Sequence, residues 1–188
     1  MKIGILGGTF NPPHNSHKKL ICNLLDNKFV DKVIILTTNN KYEKPDIINL
    51  DHRIHMLNLA MDREDIFIEN EEICKSLNYT IDALNYYKDK YPNDEIFFIM
   101  GSDKLKDFKN WRNYDEIIKK FNLIVTNRND DRADELKCIL PTAKIQFVPN
   151  VGLLSSSFVR KEIKNGNSVE KYLDEKVIEY IDKNNLYK

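Results

Sequence analysis

Two histidines near the start of the chain have the spacing to act together on an anion. His14 and His17 are three residues apart, so in a helix they lie on roughly one face. They follow an apolar run, residues 3–6, that breaks at Gly7 and Gly8. Because an apolar helical pattern comes next, the segment is predicted to be a strand, a glycine turn and a helix. Free N–H groups and peptide dipoles favour an anion at such a helix start, and phosphate is the expected ligand.

A second candidate phosphate site is the string LSSSFVR, residues 154–160. Ser156 can cap a helix, and the free N–H groups behind it can hold a phosphate. Arg160 lies four residues further on and carries a planar fork of donors that can reach the same phosphate. On its own, the string also fits an ordinary serine-capped helix with a surface arginine. Its pairing with the histidine segment favours the phosphate interpretation.

These residues need a scaffold that brings both ends of the chain together. Helical patterns separate short apolar runs almost throughout, which predicts a mostly parallel sheet with helices on both faces. We therefore expect a single, doubly wound, Rossmann-like α/β domain over residues 1–188. Ligands of such sheets bind beyond the carboxyl ends of the strands. The five runs predicted as strands after the first are residues 33–36, 66–68, 96–100, 123–125 and 145–148. The residues predicted to cap helices are Ser16, Asp51, Thr80 and Ser156.

Composition excludes several classes of protein. Lys and Arg total 29 and Asp and Glu total 29, and this balance argues against general binding of nucleic acid or membrane surfaces. The three cysteines are far apart, which suggests neither a disulfide framework nor a zinc site. His52 and His55 lack a nearby cysteine, so an ordinary helix face is favoured over a metal site. With no signal peptide and no long apolar run, the expected location is cytoplasmic.

The histidine segment carries a resemblance to a known family. GGTFNPPHNSH, residues 7–17, resembles the GTFDPxHxGH signature of the nucleotidyltransferases related to class I aminoacyl-tRNA synthetases, and LSSSFVR resembles their ISSTxxR motif. Asn11 replaces the usual Asp and Ser16 the usual Gly, although a small serine should preserve the turn. The resemblance implies that His14, His17 and Arg160 stabilise charge on ATP phosphates. The ATP-binding residues that it implies are Gly7, Gly8, Thr9, Phe10, Gly101, Asp103 and Ser156.

A longer segment resembles one branch of that family. Residues 101–117, GSDKLKDFKNWRNYDEI, are similar to the GxDxLxxFxxWxxYxxI segment of bacterial nicotinate mononucleotide adenylyltransferases. The resemblance implies that Trp111 stacks on the pyridine ring, although a core aromatic is the alternative. Asn78-Tyr79-Thr80 resembles the SYT motif of those enzymes, so Thr80 would help to hold the pyridine carboxylate. The implied contacts to the mononucleotide are Asn39, Tyr79, Thr80, Trp111 and Arg128.

The implied activity is transfer of the adenylyl group of ATP to nicotinate mononucleotide, giving deamido-NAD and pyrophosphate without a covalent intermediate. Mg²⁺ would be carried with ATP rather than held in a protein site. Lys44, with Lys41 as second choice, would be the mobile cation at the triphosphate. The alternatives are nicotinamide mononucleotide or pantetheine phosphate as acceptor, and a non-catalytic nucleotide sensor on the same fold. Preference for acid or amide, and assembly into a homo-oligomer, stay open at this stage.

Overall fold

The computed structural model describes residues 1–38, 46–127, 137–149, 152 and 154–188. Its strands form one six-stranded sheet, and each of the five pairings between the described strands is parallel. The α/β prediction is therefore confirmed. The strands are β1 Lys2–Gly8, β2 Lys32–Thr37, β3 Ile66–Ile68, β4 Glu95–Gly101, β5 Asn122–Asn127 and β6 Ile145–Pro149. Their order across the sheet is β3-β2-β1-β4-β5-β6.

Helices follow most of the strands. None of the helices in the described part of the chain has the length and hydropathy needed to cross a bilayer. The helices whose bounds lie within the described residues are α1 Asn15–Asp26, α2 Leu50–Ala60, α3 Glu71–Ser76, α4 Thr80–Lys90, α5 Ser102–Leu105, α6 Tyr114–Lys120, α7 Ser156–Lys164 and α8 Glu175–Lys183, with a 3₁₀ turn at Phe108–Asn110.

The sheet separates two apolar cores. Along β4, Phe97 and Ile99 pack into one core, which contains side chains of α1, α2, α7 and α8. Phe98 and Met100 alternate with them and pack into the other core, with side chains of α4, α5 and α6. Strands covered on both faces need nearly continuous apolar runs, which explains why these runs are readable in the sequence. The helices on both faces are as predicted.

The sheet has its switch point between β1 and β4. From β1 the chain runs outward through β2 and β3, and it then returns to pair β4 with the other side of β1. Loops diverge at such a point and leave a crevice beyond the strand ends. One prediction is wrong here: Gly7 and Gly8 do not form the turn. Both lie within β1, because they pair in register with Leu36 and Thr37 of β2.

The helix caps also differ from prediction. Ser155, not Ser156, caps α7, and its side chain accepts a hydrogen bond from the backbone N–H of Phe158 at 3.2 Å. Ser156 is already helical, and its hydroxyl bonds elsewhere. The residues that precede three other helices are His14 (α1), Asn49 (α2) and Tyr79 (α4), in place of the predicted Ser16, Asp51 and Thr80. Each predicted residue lies one or two positions too far along, because tertiary contacts decide where the extended backbone ends.

Candidate active site

The loop between β1 and α1, residues 9–14, presents a pair of stacked imidazoles. The ring centroids of His14 and His17 lie 3.6 Å apart with an interplanar angle of 14°. The backbone N–H of His14 donates to Nδ1 of His17 at 3.2 Å. With Nδ1 accepting, the proton of a neutral His17 ring sits on Nε2, which can then donate to an anion. The structure thus brings together the two side chains whose spacing suggested joint action.

The Phe10 ring packs against His17 of this pair. Its ring lies with its centroid 5.0 Å from that of His17, in an edge-on arrangement, and it is 3% exposed. A Cβ added to Gly8 would lie 2.8 Å from the Phe10 ring, too close for two carbon atoms. Gly8 therefore leaves room for Phe10. This gives Gly8 and Phe10 a structural part in placing His17, in addition to the ATP contact that was predicted.

Side chains of α7 form hydrogen bonds to the same loop. The Ser156 hydroxyl donates to the carbonyl oxygen of Pro12 at 2.9 Å. Arg160 Nη1 donates to the carbonyl oxygen of Asn11, also at 2.9 Å. Arg160 has five N–H donors in all, so further donors can serve a phosphate. The two strings from opposite ends of the chain therefore meet at one place, and the N–H groups of the first turn of α7 add to the donors there.

Asn11 lies at the centre of this loop, and its side chain is buried. Its Nδ2 donates to the carbonyl oxygen of Asp46 at 2.7 Å. Its Oδ1 accepts from the Tyr187 hydroxyl at 2.8 Å and, more distantly, from the Ile48 N–H at 3.4 Å. A carboxylate can only accept, so an aspartate here would leave the Asp46 carbonyl without this donor. The amide thus suits its surroundings in this chain.

Arg53 forms hydrogen bonds to the residues that follow β1 and β2, and it was not among the predicted site residues. Its side chain is fully buried, and Nη1 donates to the carbonyl oxygens of both Thr9 and Thr38 at 2.9 Å. Its Nε donates to the carbonyl oxygen of Ile48 at 3.1 Å. Burial lowers the pKa of Arg53 from its high ordinary value. A usable signal existed: Arg53 lies four residues before Leu57, on the apolar face of the predicted helix.

Beside the loop, at the switch point, lies a cavity of about 430 Å³. Its floor is formed by strand residues, and its walls come from the segment before and within α4 and from the segment after the 3₁₀ turn. Burial raises the pKa of the Cys74 thiol in its wall. The lining residues are Ile5, Gly7, Leu36, Thr37, Thr38, Cys74, Leu77, Asn78, Tyr79, Thr80, Ala83, Phe98, Asn110, Trp111 and Arg112.

The walls of this cavity suit a flat ring that carries a negative charge. Trp111 is half-buried and packs against Phe108 and Phe98, at centroid distances of 5.1 and 5.9 Å. The guanidinium carbon of Arg112 lies 4.4 Å from the centroid of the Tyr79 ring. No aspartate or glutamate occurs among the described lining residues. Arg112 was not among the predicted site residues, and its only signal was its place next to the tryptophan.

The other predicted site residues are found at several positions. Gly7 lines the cavity, where an added Cβ would meet no atom within 4 Å, so its place is beside the predicted mononucleotide contacts. Thr9 accepts a hydrogen bond from the Thr38 hydroxyl at 3.4 Å. Gly101 ends β4, and the Asp103 carboxylate is 3.5 Å from Lys104 Nζ. Neither residue is among those that line the cavity. Four further predicted or candidate residues lie outside the described residues: Asn39, Lys41, Lys44 and Arg128.

His52 and His55 take part in helix packing. Tyr180 of α8 places its hydroxyl 2.8 Å from Nδ1 of His52, and its ring stacks on His55 at 4.4 Å. Across the part of the chain that the structure describes, no group of three or more His, Cys, Asp or Glu residues could hold a metal ion. The ordinary helix-face interpretation fits these contacts.

Comparison with known proteins places the geometry in context. The family model described as cytidylyltransferase-like matches residues 5–166. A relative from Borreliella burgdorferi, named "Probable nicotinate-nucleotide adenylyltransferase", is 35% identical over all of this chain and 97% of its own length. A relative of the same name from Flavobacterium psychrophilum is 34% identical over the full length of both. The solved nicotinic acid mononucleotide adenylyltransferase of Plasmodium falciparum, complexed with NaAD, shares the fold with a TM-score of 0.83 at 24% identity, covering 99% of this chain and 97% of its own.

Proposed function

The chain belongs to the nicotinate-nucleotide adenylyltransferases of the cytidylyltransferase-like family, and from this premise we propose that it transfers the adenylyl group of ATP to nicotinate mononucleotide. The products are deamido-NAD and pyrophosphate. The observation that carries the proposal is the position of β1. Gly7, near its end, lines the cavity walled by Trp111, whereas a Cβ on the next residue, Gly8, would meet the Phe10 ring that packs against His17. A triphosphate at the histidines and a pyridine ring in the cavity would therefore lie on either side of one strand end.

The reaction needs alignment and neutralisation of charge more than a protein nucleophile. A phosphate oxygen of the mononucleotide attacks the α-phosphorus of ATP and forms a new P–O bond. The bond from the α-phosphorus to the bridging oxygen breaks, and its electron pair leaves with pyrophosphate. His17 donates from Nε2 and Arg160 from its guanidinium to oxygens on which charge develops, and the start of α7 adds backbone N–H groups.

Nucleotidyltransferases of this family generally use a divalent metal with ATP. We propose that the metal is Mg²⁺ and that it arrives with the nucleotide. Mg²⁺ prefers carboxylate and phosphate oxygens as ligands, whereas the groups around the histidine pair are imidazole, guanidinium and backbone N–H. These groups fit phosphate oxygens, so the triphosphate itself would hold the ion. Its charge would then help to neutralise the leaving pyrophosphate.

The cavity favours an acid over an amide as the pyridine substituent. The first turn of α4 begins at Thr80 in the cavity wall, and its N–H groups and dipole favour an anion. The guanidinium of Arg112 lies in the same wall and adds a positive charge. An amide would turn its NH₂ end towards these donors and leave them unmatched, at about 1–3 kcal/mol each. Two unmatched donors would discriminate by ~10²-fold or more in kcat/KM.

The decisive experiment follows pyrophosphate release from ATP with three acceptors in parallel. These acceptors are nicotinate mononucleotide, nicotinamide mononucleotide and phosphopantetheine. We expect kcat/KM for the acid to exceed that for the amide by at least ~10²-fold, and phosphopantetheine to be inert. Preference for the amide or for phosphopantetheine would replace the proposed acceptor. ATP binding without turnover of any of the three would instead indicate a nucleotide sensor.

The roles of four residues outside the described part of the chain rest on the sequence resemblance alone. We propose Lys44, with Lys41 as second candidate, as the cation at the triphosphate, and Asn39 and Arg128 as contacts to the mononucleotide. The predicted cytoplasmic location, the absence of nucleic-acid and membrane partners and the extent of one domain over residues 1–188 stay predictions. Assembly into a homo-oligomer stays open.

A further inference from the structure

The segment after the matched family region returns to the histidine loop. The family match ends at residue 166, and residues 167–188 lie beyond it. Asn15, the first residue of α1, donates from its backbone to the Tyr172 carbonyl at 2.8 Å and from its side chain to the Lys171 carbonyl at 3.2 Å. Lys18 Nζ lies 3.1 Å from an Asp174 carboxylate oxygen. The C-terminal segment is therefore fastened to the first turn of α1, next to His17.

The same segment reaches the loop itself through one side chain. The Tyr187 hydroxyl donates to Oδ1 of Asn11 at 2.8 Å. Leu186, its neighbour, is buried in the core that contains side chains of α1 and α8. Tyr187 has a φ of 65°, in the left-handed region that bulky residues rarely adopt. Such a backbone conformation persists only where surrounding contacts impose it, and residues held in this way are frequent at functional sites.

The charges of two arginines of the site affect the pKa of the Tyr187 hydroxyl. Burial raises the pKa of Tyr187, and the charges of Arg160 and Arg53 oppose this rise without cancelling it. The phenol therefore stays protonated and can donate to Asn11. Arg160 binds the carbonyl oxygen of Asn11, and Arg53 binds that of Thr9. The hydroxyl thus belongs to the same network that fixes the backbone of the loop.

We propose that Tyr187 is a positioning residue for adenylyl transfer. It holds the Asn11 side chain and, through it, the loop that carries His14 and the Asn11 carbonyl bound by Arg160. This inference rests on the proposed function. Tyr187 acts through Asn11, because its hydroxyl restricts the orientation of the Asn11 side chain. Without the hydroxyl, the contact that Oδ1 keeps among the described residues is the one to the Ile48 N–H at 3.4 Å, which is at the edge of hydrogen-bond geometry. Small displacements of catalytic groups can lower rates by up to ~10²-fold, so a loss of ~10-fold in kcat is expected here.

The test compares Tyr187→Phe with Tyr180→Phe. Both substitutions remove one phenolic hydroxyl of the C-terminal segment that makes a contact of 2.8 Å, but Tyr180 contacts His52 of α2 rather than the loop. We expect Tyr187→Phe to lower kcat by ~10-fold with KM for the mononucleotide within about twofold, whereas Tyr180→Phe leaves kcat within about twofold. Hydrogen exchange of the free protein should quicken over residues 9–17 in Tyr187→Phe and stay unchanged there in Tyr180→Phe.

A second background tests the route through Asn11. If Tyr187 acts through this side chain, adding Tyr187→Phe to Asn11→Ala should cause no further loss of kcat. A full additional loss in that background would overturn the inference. Equal effects of the two tyrosine substitutions, or faster exchange over all of α8 in Tyr187→Phe, would also overturn it and indicate a general packing role. Exchange is measured without substrate, so its outcome is independent of whether nicotinate mononucleotide is the acceptor.

Discussion

The histidine loop and the neighbouring cavity are built in different ways. The loop, residues 9–14, is held by donors from distant parts of the chain: Arg53, Ser156, Arg160 and Tyr187. The cavity is walled by two short stretches, residues 77–83 and 110–112, that pack on the strand ends. Hydrogen bonds to backbone carbonyls restrict direction as well as distance, whereas apolar walls restrict mainly volume. The proposed phosphate side therefore suits accurate alignment, and the cavity suits selection by shape and charge.

This contrast predicts different kinetic consequences for the two regions. Substitutions at the loop should lower kcat, because they disturb the groups that we propose act on developing charge. Substitutions in the cavity should act mainly through KM for the mononucleotide, because they remove binding that is similar in the ground and transition states.

The largest effect is expected for His17→Ala. Loss of the Nε2 donor should lower kcat by ~10²-fold or more, as for the removal of one donor to a transition-state oxyanion. Steady-state kinetics of pyrophosphate release provide the measurement. His55→Ala is the matched control, since His55 stacks on Tyr180 away from the loop and its loss should leave kcat nearly unchanged. Near-normal kcat in a folded His17→Ala variant would contradict the proposed role of His17 in the chemical step.

Trp111→Ala should give the largest effect in the cavity. Stacking of a base on an aromatic side chain contributes about 1–3 kcal/mol, so kcat/KM for the mononucleotide should fall by ~10- to 100-fold. The acid and the amide should suffer alike, because stacking is largely indifferent to the ring substituent. KM for ATP should change by less than about threefold. Comparable losses for both substrates would show that the cavity and the loop do not act separately.

Arg160→Lys should have an intermediate effect on the phosphate side. Lysine keeps the charge but cannot bind both the Asn11 carbonyl and a phosphate with one planar fork. We expect kcat/KM for ATP to fall by ~10-fold, largely through kcat, in line with the loss of one charge-assisted hydrogen bond of about 1.5–3 kcal/mol. Initial rates at varied ATP, together with thermal unfolding, provide the measurement. Unchanged ATP kinetics in a stable variant would place Arg160 away from the triphosphate.

Gly7→Ala and Gly8→Ala form a matched pair on one strand. A methyl group at Gly8 would press on Phe10 and through it on His17, so kcat should fall several-fold, and overpacking should cost about 1–3 kcal/mol of stability. A methyl group at Gly7 meets open space in the cavity, so stability should hold while KM for the mononucleotide rises. The opposite pattern in unfolding and KM measurements would contradict the assignment of the two glycines to different regions.

The smallest effect is expected away from both regions, at Asp65. Hydrogen bonds from Arg63 lower the pKa of the Asp65 carboxyl below its ordinary value. A depressed folded-state pKa stabilises the protein above the unfolded pKa of ~3.9, and this stabilisation is lost as the pH falls through the folded value. Asp65→Asn should therefore cost at most about 1 kcal/mol at pH 7, given the partial exposure of the pair. Denaturant unfolding should show this difference shrinking below pH 4, with kcat unchanged at pH 7.

The predictability of the two regions differs for a physical reason. Strand positions and the histidine pair follow from local periodicity and spacing, which the chain displays directly. Arg53 and Tyr187 act through contacts between segments far apart in sequence, and an isolated arginine or tyrosine gives no sign of such partners. Arg112 lies next to the predicted tryptophan, yet only its position over the Tyr79 ring shows that it faces the cavity.

The amino-acid sequence alone determined the order of the elements, because strands buried on both faces need apolar runs and helices need an apolar stripe. It also predicted the groups that we propose act on phosphate, since their spacing at helix starts is local. Only the tertiary structure decided where each helix begins, as Ser155 and Ser156 show: one caps α7 and the other binds the Pro12 carbonyl. It likewise decided what holds the histidine loop, because buried backbone carbonyls take their donors from whichever segment the folded chain brings near.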